Sequence, residues 1–273
     1  MSGEQENDNG LRIDGRRPLE LRQIRLKMNV FGHADGSAYF EQGKTKVLVA
    51  VYGPHQPKSN TGRSSSKTAG GVLNCQYSTA VFSFSAGEHK RRPRGDRKSV
   101  ERSLQLRHSL EAIVRLELYP RSQIDVFLEI LEADGSEFCT AINAATVALI
   151  DAGIPIKDYA IGCTVTLMDL KLTEDNKKAP RTGVIDANFA EECASEVTLS
   201  FITLPGINSD PYKGMVVMGH GAGQRLHLSK FQTLRNQALC GSKHIKEILD
   251  EAVRYHLTLH SPFSPFNLQI SLD

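Results

Sequence analysis

Three runs near the N-terminus carry β-like patterning: RQIRLKMNV from Arg22, GSAYFEQ from Gly36 and TKVLVAVYG from Thr45. Apolar residues recurring on one side of such runs bury one strand face and leave the other on solvent. Asp35-Gly36 and Gly43 are turn signals between the runs, so an antiparallel meander is expected from Arg22 to Gly53. Pro54 to Gly71 is rich in Ser, Lys, Gly and Pro and reads as a mobile surface loop, after which Val72 to Ala80 returns to strand. The period then lengthens. Val100, Leu104, Leu110, Ile113, Val114 and Leu118 predict an amphipathic helix over Arg97 to Leu118, ended by Pro120.

Ile124 to Leu131 is a further β run, and Phe138 to Asp151 is apolar on nearly every side, as a buried helix is. Gly153 and Pro155 close that unit. Strands are expected again at Ala160 to Leu170, Val197 to Leu204 and Met215 to Met218. A long helix follows from about Leu228 to Leu257, with Phe231, Leu234, Ala238, Ile245, Leu249, Ala252 and Val253 on one side. Strands followed by helices, twice over, predict an α+β fold of two β-sheet/α-helix halves packed together. The divisions are a flexible N-terminus at 1–10, a first half at 11–155, a second half at 156–258 and a C-terminal tail at 259–273. A solvated charged insert, 171–182, interrupts the second half.

Composition narrows the class. At 273 residues with 40% apolar and 23% charged, the chain can bury a real core, which excludes disordered and fibrous classes. The formal net charge is only +2, so any affinity for nucleic acid must come from local clustering. Cys75, Cys139, Cys163, Cys193 and Cys240 are scattered without a zinc spacing and read as reduced thiols. Met1 to Asn9 is acidic and polar, and no run reaches the roughly 20 apolar residues of a membrane span. A cytosolic or nuclear protein with no membrane partner is expected.

The densest candidate chemistry is HKRRPRGDRK, where His89, Lys90, Arg91, Arg92, Arg94, Arg97 and Lys98 crowd a loop that opens a helix. Clustered cations bind phosphodiester backbones by releasing counterions and donating to phosphate oxygens, and a helix N-terminus adds amide donors. A solvated charged loop is the alternative. Lys58, Arg63 and Lys67 form a second, weaker group, for which a flexible linker is the blander account. Gly219, Gly221 and Gly223 follow a strand but miss the dinucleotide spacing, which favours a hairpin or loop over a cofactor cradle. His256 and His260 lie four apart near a helix end without a third ligand at matching spacing. No GxSxG elbow and no P-loop occur.

Four long runs are familiar: LRIDGRRPLELRQI at Leu11 to Ile24, ADGSAYFEQGKTKVLVAVYGP at Ala34 to Pro54, PRSQIDVFLEILEADGS at Pro120 to Ser136 and NAATVALIDAGIP at Asn143 to Pro155. They resemble the RNase PH family, and within it the eukaryotic RNA exosome ring subunits related to the catalytic archaeal subunit. The likeness extends from Leu11 to about Leu257. It implies an RNase PH-like fold and, in active members, phosphorolysis of RNA: phosphate attacks the last 3′ linkage and a nucleoside diphosphate leaves. Such chemistry needs cations and amides around the attacking phosphate, a grip on the RNA backbone, and an acid or metal for the leaving oxygen.

Carried over residue by residue, the resemblance puts the basic RNA-positioning pair on Arg97 and Lys98 and the paired family acids on Asp186 and Glu192. Family aspartate is retained at the first; glutamate adds a methylene at the second. Where active members read Gly-Gly-Thr-Arg for phosphate, this chain reads Gly135, Ser136, Glu137, Phe138. Phe138 replaces a guanidinium and Glu137 adds a negative charge, and the loss of one transition-state donor typically costs a factor of about a hundred to a thousand. The resemblance therefore implies a non-catalytic subunit, a degenerate phosphorolytic exoribonuclease with no cofactor and no metal. It would bind and thread single-stranded RNA for 3′ to 5′ processing and decay, as in rRNA maturation and mRNA turnover. Arg63, Arg91, Arg92 and Arg94 would add to the RNA contacts of Arg97 and Lys98. Implied partners are other RNase PH-like exosome subunits, RNA-binding cap subunits and a separate hydrolytic nuclease, in nucleus, nucleolus and cytoplasm. The alternatives are an active phosphate-dependent 3′ to 5′ exoribonuclease and a homohexameric tRNA-trimming enzyme of bacterial type.

Overall fold

The structure, a computed structural model, describes residues 6–7, 11–12, 14–56, 70–83, 95–168, 182–206 and 214–260. Strands β1 (Glu6–Asn7) and β2 (Leu11–Arg12) form a small antiparallel pair that sequence patterning did not anticipate. The expected meander is β3 (Ile24–Met28), β4 (Gly36–Gln42) and β5 (Thr45–His55), each antiparallel to the next. Along β5, Val47, Val49 and Val51 are fully buried and the residues between them are not, the two-residue period of a strand laid on a core.

β6 (Val72–Thr79), helix α1 (Arg97–Ile113) and β7 (Gln123–Glu132) make a crossover, because β6 and β7 are parallel neighbours and parallel pairing needs a long connection. The first sheet has the order β3-β4-β5-β7-β6. Helix α1 stops at Ile113 rather than Leu118, and Leu116–Leu118 is a single 3-10 turn. Its inward stripe also differs from the expected one: Ser99, Leu106, Ser109, Leu110 and Ile113 are buried, whereas Val100 and Leu104 are half exposed. Ser109 can face the core because its hydroxyl returns to the helix, Oγ donating to Gln105 O at 2.8 Å, whereas the Ser99 hydroxyl is enclosed without a hydrogen-bond partner among the described residues.

Helix α2 (Glu137–Asp151) is buried continuously from Phe138 to Leu149 and packs on β4 and β5 on one side and on β8 (Ile161–Met168) on the other. Its polar members are satisfied: Asn143 exchanges two hydrogen bonds with Gly162, at 3.2 and 2.8 Å, and Thr146 Oγ1 donates to Ala160 O at 2.8 Å. The second sheet is antiparallel with the order β11-β10-β8-β9, where β9 is Thr182–Ile185, β10 is Val197–Leu204 and β11 is Met215–Gly223. Gly219, Gly221 and Gly223 are strand residues opposite Phe201, Leu199 and Val197, which answers the cofactor-cradle question with a hairpin partner strand.

Two elements here escaped sequence patterning, β9 and the short helix α3 (Phe189–Ala194). Helix α4 (Leu228–His260) covers the sheet through Leu234, Ala238, Ile245, Leu249 and Val253. One hydrophobic cluster runs through both sheets and α2, so the halves share a core. Residues at the N-terminal end of the first half reach the second: Arg12 is buried, donating to Ile185 O at 2.9 Å and to Asp186 O at 3.1 Å.

Candidate anion and RNA site

Two tight turns meet between the halves. Asp134-Gly135-Ser136 links β7 to α2, and Asp186-Ala187-Asn188 links β9 to α3. Gly135, Ser136 and Asp186 all have left-handed backbones, with φ of 78°, 54° and 54°. Glycine is required at 135 for a second reason: a Cβ there would lie 2.6 Å from Ala187 O and 2.7 Å from Asn188 C. Ser136 Oγ donates to Ala187 O at 3.3 Å, which fastens the turns together.

The meeting of the turns sets where α3 begins. Asn188 caps it: its side chain accepts from Glu191 N at 2.9 Å and its own amide donates to Glu191 Oε2 at 2.9 Å, a reciprocal capping box. Glu191 points inward and is gripped by Arg12, whose Nε lies 2.8 Å from Oε1 and whose Nη2 contacts Oε2. The next residue, Glu192, therefore points the other way, into a cleft. Its Oε1 accepts the Ser136 N–H at 2.8 Å, at the N-terminus of α2. Burial pushes the Glu192 acid up to about 7; the Ser136 amide opposes that rise and the Glu137 carboxylate adds to it.

Asp186 is placed differently. Its Oδ1 accepts from Arg22 Nε at 3.0 Å and Nη2 at 2.7 Å, and its Oδ2 accepts from Arg22 N at 2.9 Å. Burial pushes this carboxyl up, but the charge and hydrogen bonds of Arg22 outweigh it and hold it below the usual carboxylate range. Asp186 is not among the residues lining the cleft, so the structure separates the two acids expected to act as a pair: Glu192 faces the cleft, and Asp186 is enclosed by an arginine.

The cleft, about 320 Å³, lies between α1, the start of α2, α3 and β11. Lys98 and Arg102 of α1 supply cations, while Glu137 and Glu192 supply carboxylates. Arg102 is stacked on the Phe138 ring at 4.7 Å from its centroid, a cation–π contact that occupies the guanidinium face. His220 closes the side from β11; burial pushes its pKa down, and the Arg102 and Lys98 charges act in the same direction. An incoming phosphate thus meets two cations, two carboxylates and an amide already engaged.

Of the residues expected to act together, Ser136, Glu137, Phe138, Glu192 and Lys98 share this cleft, and Gly135 supports it from the turn. Arg97 is exposed in the first turn of α1, its amide capped by Asp96 at 2.8 Å, and does not line the cleft. Arg63, Arg91, Arg92 and Arg94 lie outside the described residues, as do His89, Lys90, Lys58, Lys67 and the insert from 171 to 181. His256 is paired with Asp151 at 3.6 Å, and no group of three or more metal-type ligands occurs among the described residues. Arg102 and His220 were missed. Arg102 had a signal, since it stands four residues after Lys98 on the same helix face.

Residues 20–155 match the family described as "3' exoribonuclease family, domain 1", the RNase PH family. The protein named exosome complex component RRP41 in Bos taurus is 41% identical over 251 residues, covering 92% of this chain and 94% of the relative. Its Arabidopsis thaliana homologue is 38% identical over 248 residues, 91% and 93% of the two chains, and Rrp41 of Thermococcus kodakarensis is 42% identical over 185 residues, 67% and 72%. The crystal structure of rice (Oryza sativa) Rrp46 superposes with a TM-score of 0.71 at 24% identity, covering 89% of this chain and 100% of that one, which shows the shared fold. With the matched region spanning the first sheet and α2, and with relatives aligned over nearly the whole chain, this protein belongs to the RNase PH family of 3′ exoribonucleases.

Proposed function

We propose that this chain is a ring subunit of an RNA exosome that grips and guides single-stranded RNA without itself performing phosphorolysis. The observation that carries the reading is the cleft at the start of α2, where Glu137, Phe138 and Glu192 occupy the surroundings a phosphate nucleophile requires. Catalysis by this family's chemistry needs donors aimed at phosphate, and here one amide is spent on a carboxylate and one guanidinium is absent. Lys98 and Arg97 remain available to RNA phosphates, a sequence-independent grip suited to sliding. Relatives named as exosome components support membership of a ring with other RNase PH-like subunits. Cap subunits and a hydrolytic nuclease complete the proposed assembly, which would serve rRNA maturation and mRNA turnover in nucleus, nucleolus and cytoplasm.

The test is RNA titration of the co-expressed, assembled ring at several salt concentrations. Arg97→Glu with Lys98→Glu is expected to weaken binding and flatten the dependence of log affinity on log salt by about 0.7 for each single-strand phosphate that is no longer neutralised. An unchanged slope assigns both residues to structure. A monodisperse homohexamer formed by this chain alone and degrading RNA would contradict the ring-subunit reading.

A further inference from the structure

The N–H of Ser136 sits where the Gly135-Ser136 turn enters a helix of 15 residues, and such an amide attracts oxyanions through both its proton and the helix dipole. In this structure that donor is satisfied from within, by Glu192 Oε1 at 2.8 Å. Three features put the carboxylate there. Gly135 lets the 187–189 turn approach to contact distance, the Asn188–Glu191 capping box fixes the first turn of α3, and Arg12 locks Glu191 inward so that Glu192 projects outward. Glutamate, with one methylene more than aspartate, has the length to span the remaining gap.

We propose that Glu192 is a built-in occupant of the oxyanion seat: its carboxylate takes the place of a phosphate-class ligand at the Ser136 amide and excludes inorganic phosphate from the cleft by occupancy. This inference rests on the non-catalytic reading above and supplies its physical cause beyond the changes at Glu137 and Phe138. The groups that face Glu192 are Glu137 of α2, Lys98 and Arg102 of α1, His220 of β11, and Arg22 and Asp186 behind the turn. Arg22 is the cation whose charge acts on Glu192, while Lys98 and Arg102 line the same cleft. Burial raises the pKa of Glu192 against the opposing pull of the Ser136 amide, so the seat is filled by the carboxylate form most fully above about pH 7.

The experiment is equilibrium dialysis of radiolabelled inorganic phosphate against the assembled ring at about pH 8, where Glu192 is ionised. Four versions are compared: wild type, Glu137→Thr with Phe138→Arg, and that pair combined with Glu192→Asp or with Glu192→Ala. The first two are expected to bind phosphate weakly, and each Glu192 substitution is expected to tighten binding of the paired variant about tenfold or more. The aspartate version keeps the charge and loses the reach, so it separates occupancy from repulsion and guards against an alanine variant that folds poorly. Equal phosphate binding by the paired variant and both triple variants overturns the proposal, as does tightening by alanine but not by aspartate. Phosphate-dependent nucleoside diphosphate formation by the wild-type ring that Glu192→Gln in this subunit abolishes would instead overturn the non-catalytic reading, an outcome scored separately from the dialysis.

Discussion

Arg22 encloses the carboxylate of Asp186 at three points, with its Nε and Nη2 at 3.0 and 2.7 Å from Oδ1 and its amide at 2.9 Å from Oδ2. The same guanidinium donates to Asp134 O at 2.5 Å and to Gly135 O at 3.3 Å, so one side chain ties the turn before α2 to the turn before α3. Its stem crosses Gly43, where a Cβ would come within 2.6 Å of Arg22 Cδ. An acid held this way has its lone pairs committed to structure.

Removing Arg22 leaves the buried Asp186 carboxylate with a single, longer cation contact, Arg16 Nη1 at 3.9 Å from Oδ2. Arg22→Met is expected to destabilise the protein by about 3 kcal/mol, measured by chemical denaturation, because a buried carboxylate that loses its bidentate partner is among the costlier lesions. A loss below about 1 kcal/mol would show that Arg16 or water takes over the charge. Asp186→Asn should likewise lower stability while leaving the RNA-degrading rate per folded complex unaltered.

Asp186 and Glu192 give pH effects of opposite sign. Glu192 has a folded value of about 7 against an ordinary 4.5, so between those limits the folded chain keeps a proton that the unfolded chain has lost. Stability should therefore fall as pH rises across that window, by on the order of 3 kcal/mol, and level off above it. Glu192→Gln should flatten the melting profile from about pH 5 to about pH 7 and be the more stable form near pH 8. Asp186, held below its usual range, contributes stability above the ordinary carboxylate value that is lost as pH falls through the lowered one. A Glu192→Gln profile parallel to wild type would remove Glu192 as the titrating group.

The stacking of Arg102 on Phe138 predicts a measurable coupling. A double-mutant cycle of Arg102→Met and Phe138→Leu, read by denaturation, should return about 0.5–2 kcal/mol favouring the native pair. Coupling indistinguishable from zero would make Phe138 a core residue without electrostatic effect on the cleft.

At Gly135, substitution strikes both conformation and space. Gly135→Ala is expected to cost about 2 kcal/mol or more, since it forces a Cβ into Ala187 and Asn188 at a left-handed φ. A neutral result would mean that the two turns can separate without penalty.

Much of this was legible in the sequence. The meander, the strands flanking α1, the buried α2 and the cladding α4 followed from period and turn residues, whereas the parallel pairing of β6 with β7 did not, and the resemblance brought Ser136, Glu137, Phe138 and Glu192 to one place. What escaped has physical reasons. The α1 stripe was misjudged because Ser99 and Ser109 face inward with their hydroxyls folded back or enclosed, a role that hydrophobic periodicity does not see. Helix α3 is too short for periodicity, although Asn188 with Glu191 three residues later is a capping-box signature that announced it. The separation of Asp186 from Glu192 depends on Arg22, 164 residues distant, and a local spacing of acids carries no information about such a partner.

The central claim is that this subunit lacks phosphorolytic activity because its phosphate surroundings are lost. The direct measurement is release of nucleoside diphosphate from 3′-labelled RNA by the wild-type assembled ring, with its hydrolytic nuclease disabled and inorganic phosphate supplied. The account predicts no diphosphate above the level seen without phosphate. Phosphate-dependent release in proportion to the ring, abolished by Glu192→Gln in this subunit alone, would contradict it.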